Sequence, residues 1–233
     1  MCVVALAWNA HPKWRLLVAG NRDEYHARAS APLTAWDDGS GIIAGRDLVS
    51  GGSWMGVAEC GRFAVVTNIR DAGGPDPDKL SRGALVHDWL SDTTLPTDLK
   101  RFNPFNLIVT SGNGADYLSN RPAALRRPVA PGIHGLSNAI PDEHWPRKDR
   151  LIAEMATWLE QDADNPETLL DLLRDETGPD RDAQPVFIRS PVYGTRCSTV
   201  VAVDNAGGGR IIERRFGADG IGAGETRIDF DWA

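Results

Sequence analysis

Cys2, the second residue, and the run Asn21-Arg22-Asp23-Glu24 are the side chains best suited to covalent chemistry in this sequence. Removal of Met1 would leave Cys2 with a thiol and its own α-amine, whose ordinary pKa of about 7.7–8 suits a base near neutral pH. A neighbouring Arg22 would favour the thiolate, and Asp23 would orient the ammonium or the guanidinium. Such a set fits acyl transfer, as in amide or thioester hydrolysis. Asn68 in "VVTN" and Asn138 in "GLSN" each follow an apolar run, so each can project an amide from a strand end, and a developing oxyanion needs such donors. Every one of these residues also has a purely structural reading. Cys2 can be a small buried hydrophobe, Arg22-Asp23 an ion pair closing a strand, and the asparagines turn formers.

The elements around these residues decide which of them can meet. Residues 2–8 and 15–20 are short apolar runs separated by the turn signal "NAHPK", and together they predict a β-hairpin. With Trp8 opposite Arg15, antiparallel pairing places Cys2 opposite Asn21. Neighbouring strand residues alternate faces, so Arg22 and Asp23 cannot both face Cys2 unless the strand has ended or bulged there.

Farther along, "SWMGVA" and "FAVVTN" predict a second hairpin, and "FNLIVTSG" with "DYLSN" a third. Helices are expected from Leu80 to Leu90, over 145–161, and from Asn165 with Pro166 in the first turn. Residues 185–203 and 210–216 return to strand character, "IHGLSNA" reads as a strand or turn ending at Asn138, and "GAGETR" reads as a turn. Strand groups interrupted by helix groups point to an α+β protein, and the length of 233 residues suits a single domain over 1–233.

The formal charge of -7 opposes binding to nucleic acid, which relies on basic residues replacing counterions. No apolar run approaches the roughly 20 residues of a membrane helix, so membrane insertion is not expected. Cys2, Cys60 and Cys197 are odd in number and widely spaced, which favours a reducing, cytoplasmic setting over a disulfide or zinc framework. The histidines lack the close spacing of a helical metal site, and only His26, just after the Asn-Arg-Asp-Glu run, is a candidate ligand. Oligomeric state is not fixed by any of these features.

"MCVVALAW", "LLVAGNRDEY", "AGRDLVSGGSWMGV", "GRFAVVTNIRD", "SRG", "GLSNA" and "YGTRCSTVV", in that order, resemble the NRDE family, also called the Transport and Golgi organization protein 2 family. The N-terminal cysteine is similar to that of N-terminal nucleophile hydrolases, especially the choloylglycine hydrolase and penicillin V acylase group. That resemblance implies a four-layer αββα sandwich of mostly antiparallel sheets. It makes Cys2 nucleophile and base, Arg22 and Asp23 supporting charges, Asn68 and Asn138 oxyanion and amine partners, and Arg196 a further active-site cation. In that group the arginine and aspartate are separated, whereas here they are adjacent. The implied activity is a cysteine amidohydrolase or thioesterase for a small acyl substrate, needing no cofactor. The alternative is a non-enzymatic carrier of haem or a lipid or acyl-CoA ligand, and without a CxxCH motif any haem would be noncovalent.

Overall fold

The computed structural model describes residues 2–71, 73–91, 94–112, 114–161, 164–178 and 184–232. They form two compact units, each built on one antiparallel sheet.

The first unit comprises Met1–Ala27, Pro131–Ser137 and His144–Asp231. Its strands are β1 (Cys2–Trp8), β2 (Trp14–Tyr25), β10 (Gly132–Leu136), β11 (Tyr193–Asp204), β12 (Gly208–Phe216) and β13 (Gly222–Asp231), in the order β10-β1-β2-β11-β12-β13. β1 is buried along its whole length, which accounts for its unbroken apolar sequence. Odd-numbered residues of the first hairpin (Val3, Ala5, Ala7, Leu17, Ala19), with Val200, Ala202 and Ile212, form one wall of a core. The opposite wall is Leu151, Met155, Trp158 and Leu159 of α2 (Pro146–Glu160) and Leu169 and Leu170 of α3 (Leu169–Leu172). The spacing of the α2 residues is the i, i+4, i+7, i+8 stripe of a helix with one buried side.

The second unit comprises Arg28–Ala130, Asn138–Glu143 and Trp232–Ala233. Its sheet runs in sequence order through β3 (Ser30–Ala35), β4 (Ile42–Asp47), β5 (Met55–Ala58), β6 (Arg62–Asn68), β7 (Phe105–Ser111), β8 (Gly114–Ser119) and β9 (Leu125–Pro128). α1 (Gly83–Leu90) buries Leu85, Val86 and Leu90 against Ala64, Val66, Leu107 and Val109. A Cβ on Gly52 would overlap the main-chain carbonyl of Gly83 at the start of α1. Neither backbone can yield, so Gly52→Ala is expected to lower unfolding free energy by about 1–3 kcal/mol in chemical denaturation. Wild-type stability would show that the two segments do not approach this closely.

Some expectations need correction. The first helix begins at Gly83, and Leu80 is exposed in an isolated bridge to Phe102. The segment from Asn165 is a 3-10 turn over Pro166–Thr168, capped by the Asn165 side chain, followed by the four-residue α3. Residues 185–192 are not strand. "GAGETR" is not a turn but the start of β13, where Arg214 Nε pairs with Glu225 at 2.7 Å across the ladder. Cross-strand ion pairs of this kind stabilise a polar strand whose composition alone reads as loop.

Candidate active site at the start of the first strand

The first hairpin pairs one residue away from the expected register, with Cys2 opposite Arg22 and Trp8 opposite Leu16. A one-residue slip exchanges the two faces of a strand, so the correction is chemical as well as geometric. Cys2 shares its face with Arg22 and Glu24, while Asn21 and Asp23 face the helices. The strand neither ends nor bulges within the Asn-Arg-Asp-Glu run, which lies inside β2. The run is therefore two devices on opposite sides of one strand.

On the helix side, Asn21 Nδ2 donates to the carbonyls of Leu173 (2.8 Å) and Val186 (2.9 Å), and its Oδ1 accepts from Ser198 Oγ (2.6 Å). The Asp23 carboxylate accepts from Arg147 Nη2 and from Thr195 Oγ1, each at 2.7 Å. Tyr193 Oη donates to the Asp23 carbonyl at 2.8 Å. The Asp23 and Arg147 side chains are 0% and 2% exposed, so this is a buried ion pair rather than a solvated one.

On the other face, Arg22 stands between two thiols, because β11 places Cys197 opposite it. A shift in β11 between Thr195 and Cys197 makes this possible: it sets Thr195 against Asp23 and Cys197 against Arg22. Cys2 and Cys197 are two strands apart, about 9.6 Å at ordinary spacing, which is too far for a disulfide. Neither forms a disulfide. Arg22 lies 4.0 Å from Glu24 on the same face.

Burial pushes the Cys2 thiol above its ordinary value and the Asp23 charge adds to the rise, whereas the N-terminal ammonium, Arg22 and, least, the Asp23 main-chain N–H, which bonds the sulfur, oppose it. Arg22 thus favours the thiolate as expected, but desolvation outweighs it. Cys197 is pushed up further, first by burial and then by Glu213. Because the thiolate is the reactive form, alkylation of Cys2 in protein retaining Met1 should rise with pH and reach its midpoint above the ordinary thiol value of about 8.5. A midpoint below that value, mapped on the Cys2 peptide, would mean that the N-terminal ammonium, Arg22 and the N–H together outweigh burial.

Cys2, Arg22, Asp23 and Arg196 all lie in the first unit. Arg196 occupies the β11 irregularity, and its Nη1 donates to the carbonyls of Tyr25 (3.0 Å) and His26 (3.1 Å) at the end of β2. His26 Nε2 is 3.0 Å from the Ser190 carbonyl. Asn68 and Asn138 lie in the second unit, where Asn138 Nδ2 donates to the Asn68 carbonyl at 2.6 Å. Met1, on which exposure of the α-amine depends, is outside the described residues. Among the described residues no cluster of three or more His, Cys, Asp or Glu could hold a metal ion, and no helix is long and apolar enough to cross a membrane.

A family model described as Transport and Golgi organisation 2 matches residues 1–218. The chain belongs to this family. The bovine Transport and Golgi organization protein 2 homolog is 30% identical over 97% of this chain and 96% of its own. The mouse Transport and Golgi organization 2 homolog is 29% identical over 92% of each. Among solved structures, a Caenorhabditis elegans ortholog of N-acylethanolamine-hydrolyzing acid amidase is 15% identical with a TM-score of 0.54, over 85% of this chain and 92% of that one. A C2A mutant of the conjugated bile acid hydrolase from Clostridium perfringens is 9% identical with the same TM-score of 0.54, over 97% and 92%. At such identities the likeness shows the fold alone, which is of the N-terminal nucleophile hydrolase type.

In this Transport and Golgi organisation 2 member, three neighbours of Asp23 escaped the sequence reading: Arg147, Tyr193 and Thr195. Arg147 did carry a signal. It sits with Lys148 in the first turn of α2, where the helix dipole disfavours cations, so a basic residue there calls for a specific partner.

Proposed function

We propose that this protein is a cysteine hydrolase of the N-terminal nucleophile type, cleaving an amide or thioester of a small acyl substrate. The observation that carries the reading is Cys2 directly opposite Arg22 on one sheet face, with the Asp23 N–H on its sulfur. The fold supports it, since its solved neighbours include an acid amidase ortholog and a bile acid hydrolase whose C2A form was chosen for study.

Burial keeps the resting Cys2 a thiol, so the attack needs a base. The α-amine released by loss of Met1 takes the thiol proton as Sγ bonds to the acyl carbon, and Arg22 stabilises charge on the sulfur. The resulting ammonium returns the proton to the departing amine or thiol. Water then attacks the thioester-linked acyl group, giving up a proton to the same amine, and the free acid leaves with the thiol restored.

The test is intact mass and peptide mapping after incubation with a panel of N-acyl amides and S-acyl thioesters. The expected result is a chain beginning at Cys2 that carries the acyl group on its first peptide. A chain that keeps Met1 throughout, or label confined to the exposed Cys60, would sink the proposal.

A further inference from the structure

Asp23 occupies an unusual position for a supporting carboxylate. Its side chain is on the opposite sheet face from Cys2, yet its main-chain N–H bonds the Cys2 sulfur. Whatever holds the Asp23 side chain therefore also aims that N–H. Three side chains hold this residue in place, Thr195 and Tyr193 from the neighbouring strand β11 and Arg147 from α2.

Of these, Arg147 ties the strand to the rest of its unit. Its Nη2 donates both to Asp23 and, at 2.9 Å, to the Val186 carbonyl, the acceptor that Asn21 also uses. Arg147, Asn21 and Asp23 thus fix β2 against α2 and the 184–188 segment on both sides of Arg22. Stability alone does not account for this choice. Arg147 Nε and Nη1 are buried without a hydrogen-bond partner among the described residues, and unmet buried donors are unfavourable. Apolar side chains at positions 23 and 147 together would remove that penalty without stranding a charge.

Resting on the reading of Cys2 as nucleophile, we propose that Arg147 is a positioning residue: its ion pair with the Asp23 carboxylate aims the Asp23 N–H at the Cys2 sulfur across the strand. The charged and ionisable groups bearing on Cys2 are then the N-terminal ammonium, Arg22 and Asp23 from β2, and the Cys197 thiol beyond Arg22. Removing Arg147 loosens the N–H and leaves the Asp23 charge less compensated, and both changes disfavour the thiolate.

The test is the pH profile of Cys2 alkylation by iodoacetamide, mapped by peptide mass with exposed Cys60 as internal reference. Wild type, Arg147→Met, Arg147→Lys and Thr195→Val would be compared, all with one defined N-terminus. The expected result for Arg147→Met is a Cys2 midpoint higher by about one unit, hence alkylation about tenfold slower at a fixed pH below it, with Cys60 unmoved. Arg147→Lys, which keeps the charge opposite Asp23, should recover part of the shift. Thr195→Val removes a second anchor, so it should shift the profile in the same direction and serves if Arg147→Met does not fold. Cys2 profiles that coincide with wild type in the folded variants overturn the inference. That result is separable from failure of the hydrolase reading, which would appear as no acyl adduct and no turnover in wild type whatever the alkylation profiles show.

Discussion

Cys2→Ala is expected to lower turnover of any amide or thioester substrate by at least about a thousandfold, because removing the nucleophile of an acyl-transfer enzyme leaves only binding and oxyanion stabilisation. The loss should be chemical rather than structural. Cys2 is the first residue of β1, its side chain is small, and replacing it with Ala removes one buried atom, worth about 1 kcal/mol or less. Unfolding curves of the two proteins should therefore nearly superimpose while their rates diverge. Cys60→Ala is the control: Cys60 is exposed in the turn between β5 and β6, and its replacement should leave turnover unchanged. The measurement is initial rate on whichever substrate leaves an acyl adduct on Cys2. Turnover by Cys2→Ala within tenfold of wild type would place the chemistry elsewhere.

The hairpin that carries the site was legible because "CVVALAW" and "RLLVAG" are apolar runs around a clear turn signal. Its register was not. The connection from Asn9 to Lys13 sets it: Asn9 takes a left-handed φ of 44° and its N–H donates to the Arg15 carbonyl, which brings Leu16 rather than Arg15 opposite Trp8. A single residue of offset decided whether Cys2 shares a face with Arg22 or with Asn21 and Asp23. Composition does not encode that offset. The alternation rule correctly required that Arg22 and Asp23 part company, but it could not name what lies on the far face. The partner of Asp23 is 124 residues away along the chain, on a helix whose first turn, "PRKD", looks like ordinary solvated surface. β13 was misread for a similar reason, since "GAGETR" becomes strand only through the arginines of β12 beside it. Local pattern reported the local elements; the long-range polar pairs that complete the site left at most a faint mark.

The Asp23–Arg147 pair separates stability from positioning in one experiment. Asp23→Ala strands a buried guanidinium that already has two unmet nitrogens, and breaking a buried pair from one side typically costs about 3–5 kcal/mol. Chemical denaturation should show a loss of that size. Arg147→Met should cost less, because the carboxylate keeps the Thr195 hydroxyl as a donor. The double variant Asp23→Leu with Arg147→Met removes both charges and both desolvation penalties together, so it should recover to within about 1 kcal/mol of wild type. If the pair served the fold alone, restoring stability would also restore the behaviour of Cys2. Positioning predicts otherwise: the doubly apolar protein should be as stable as wild type yet turn over substrate slowly, because only the Tyr193 bond to the main-chain carbonyl remains to hold the N–H of residue 23 near the sulfur, even though loss of the Asp23 charge by itself favours the thiolate. A stable double variant with wild-type turnover would make the pair purely structural. A variant that is stable and catalytically impaired would show that the second face of β2 is where the reactivity of Cys2 is set.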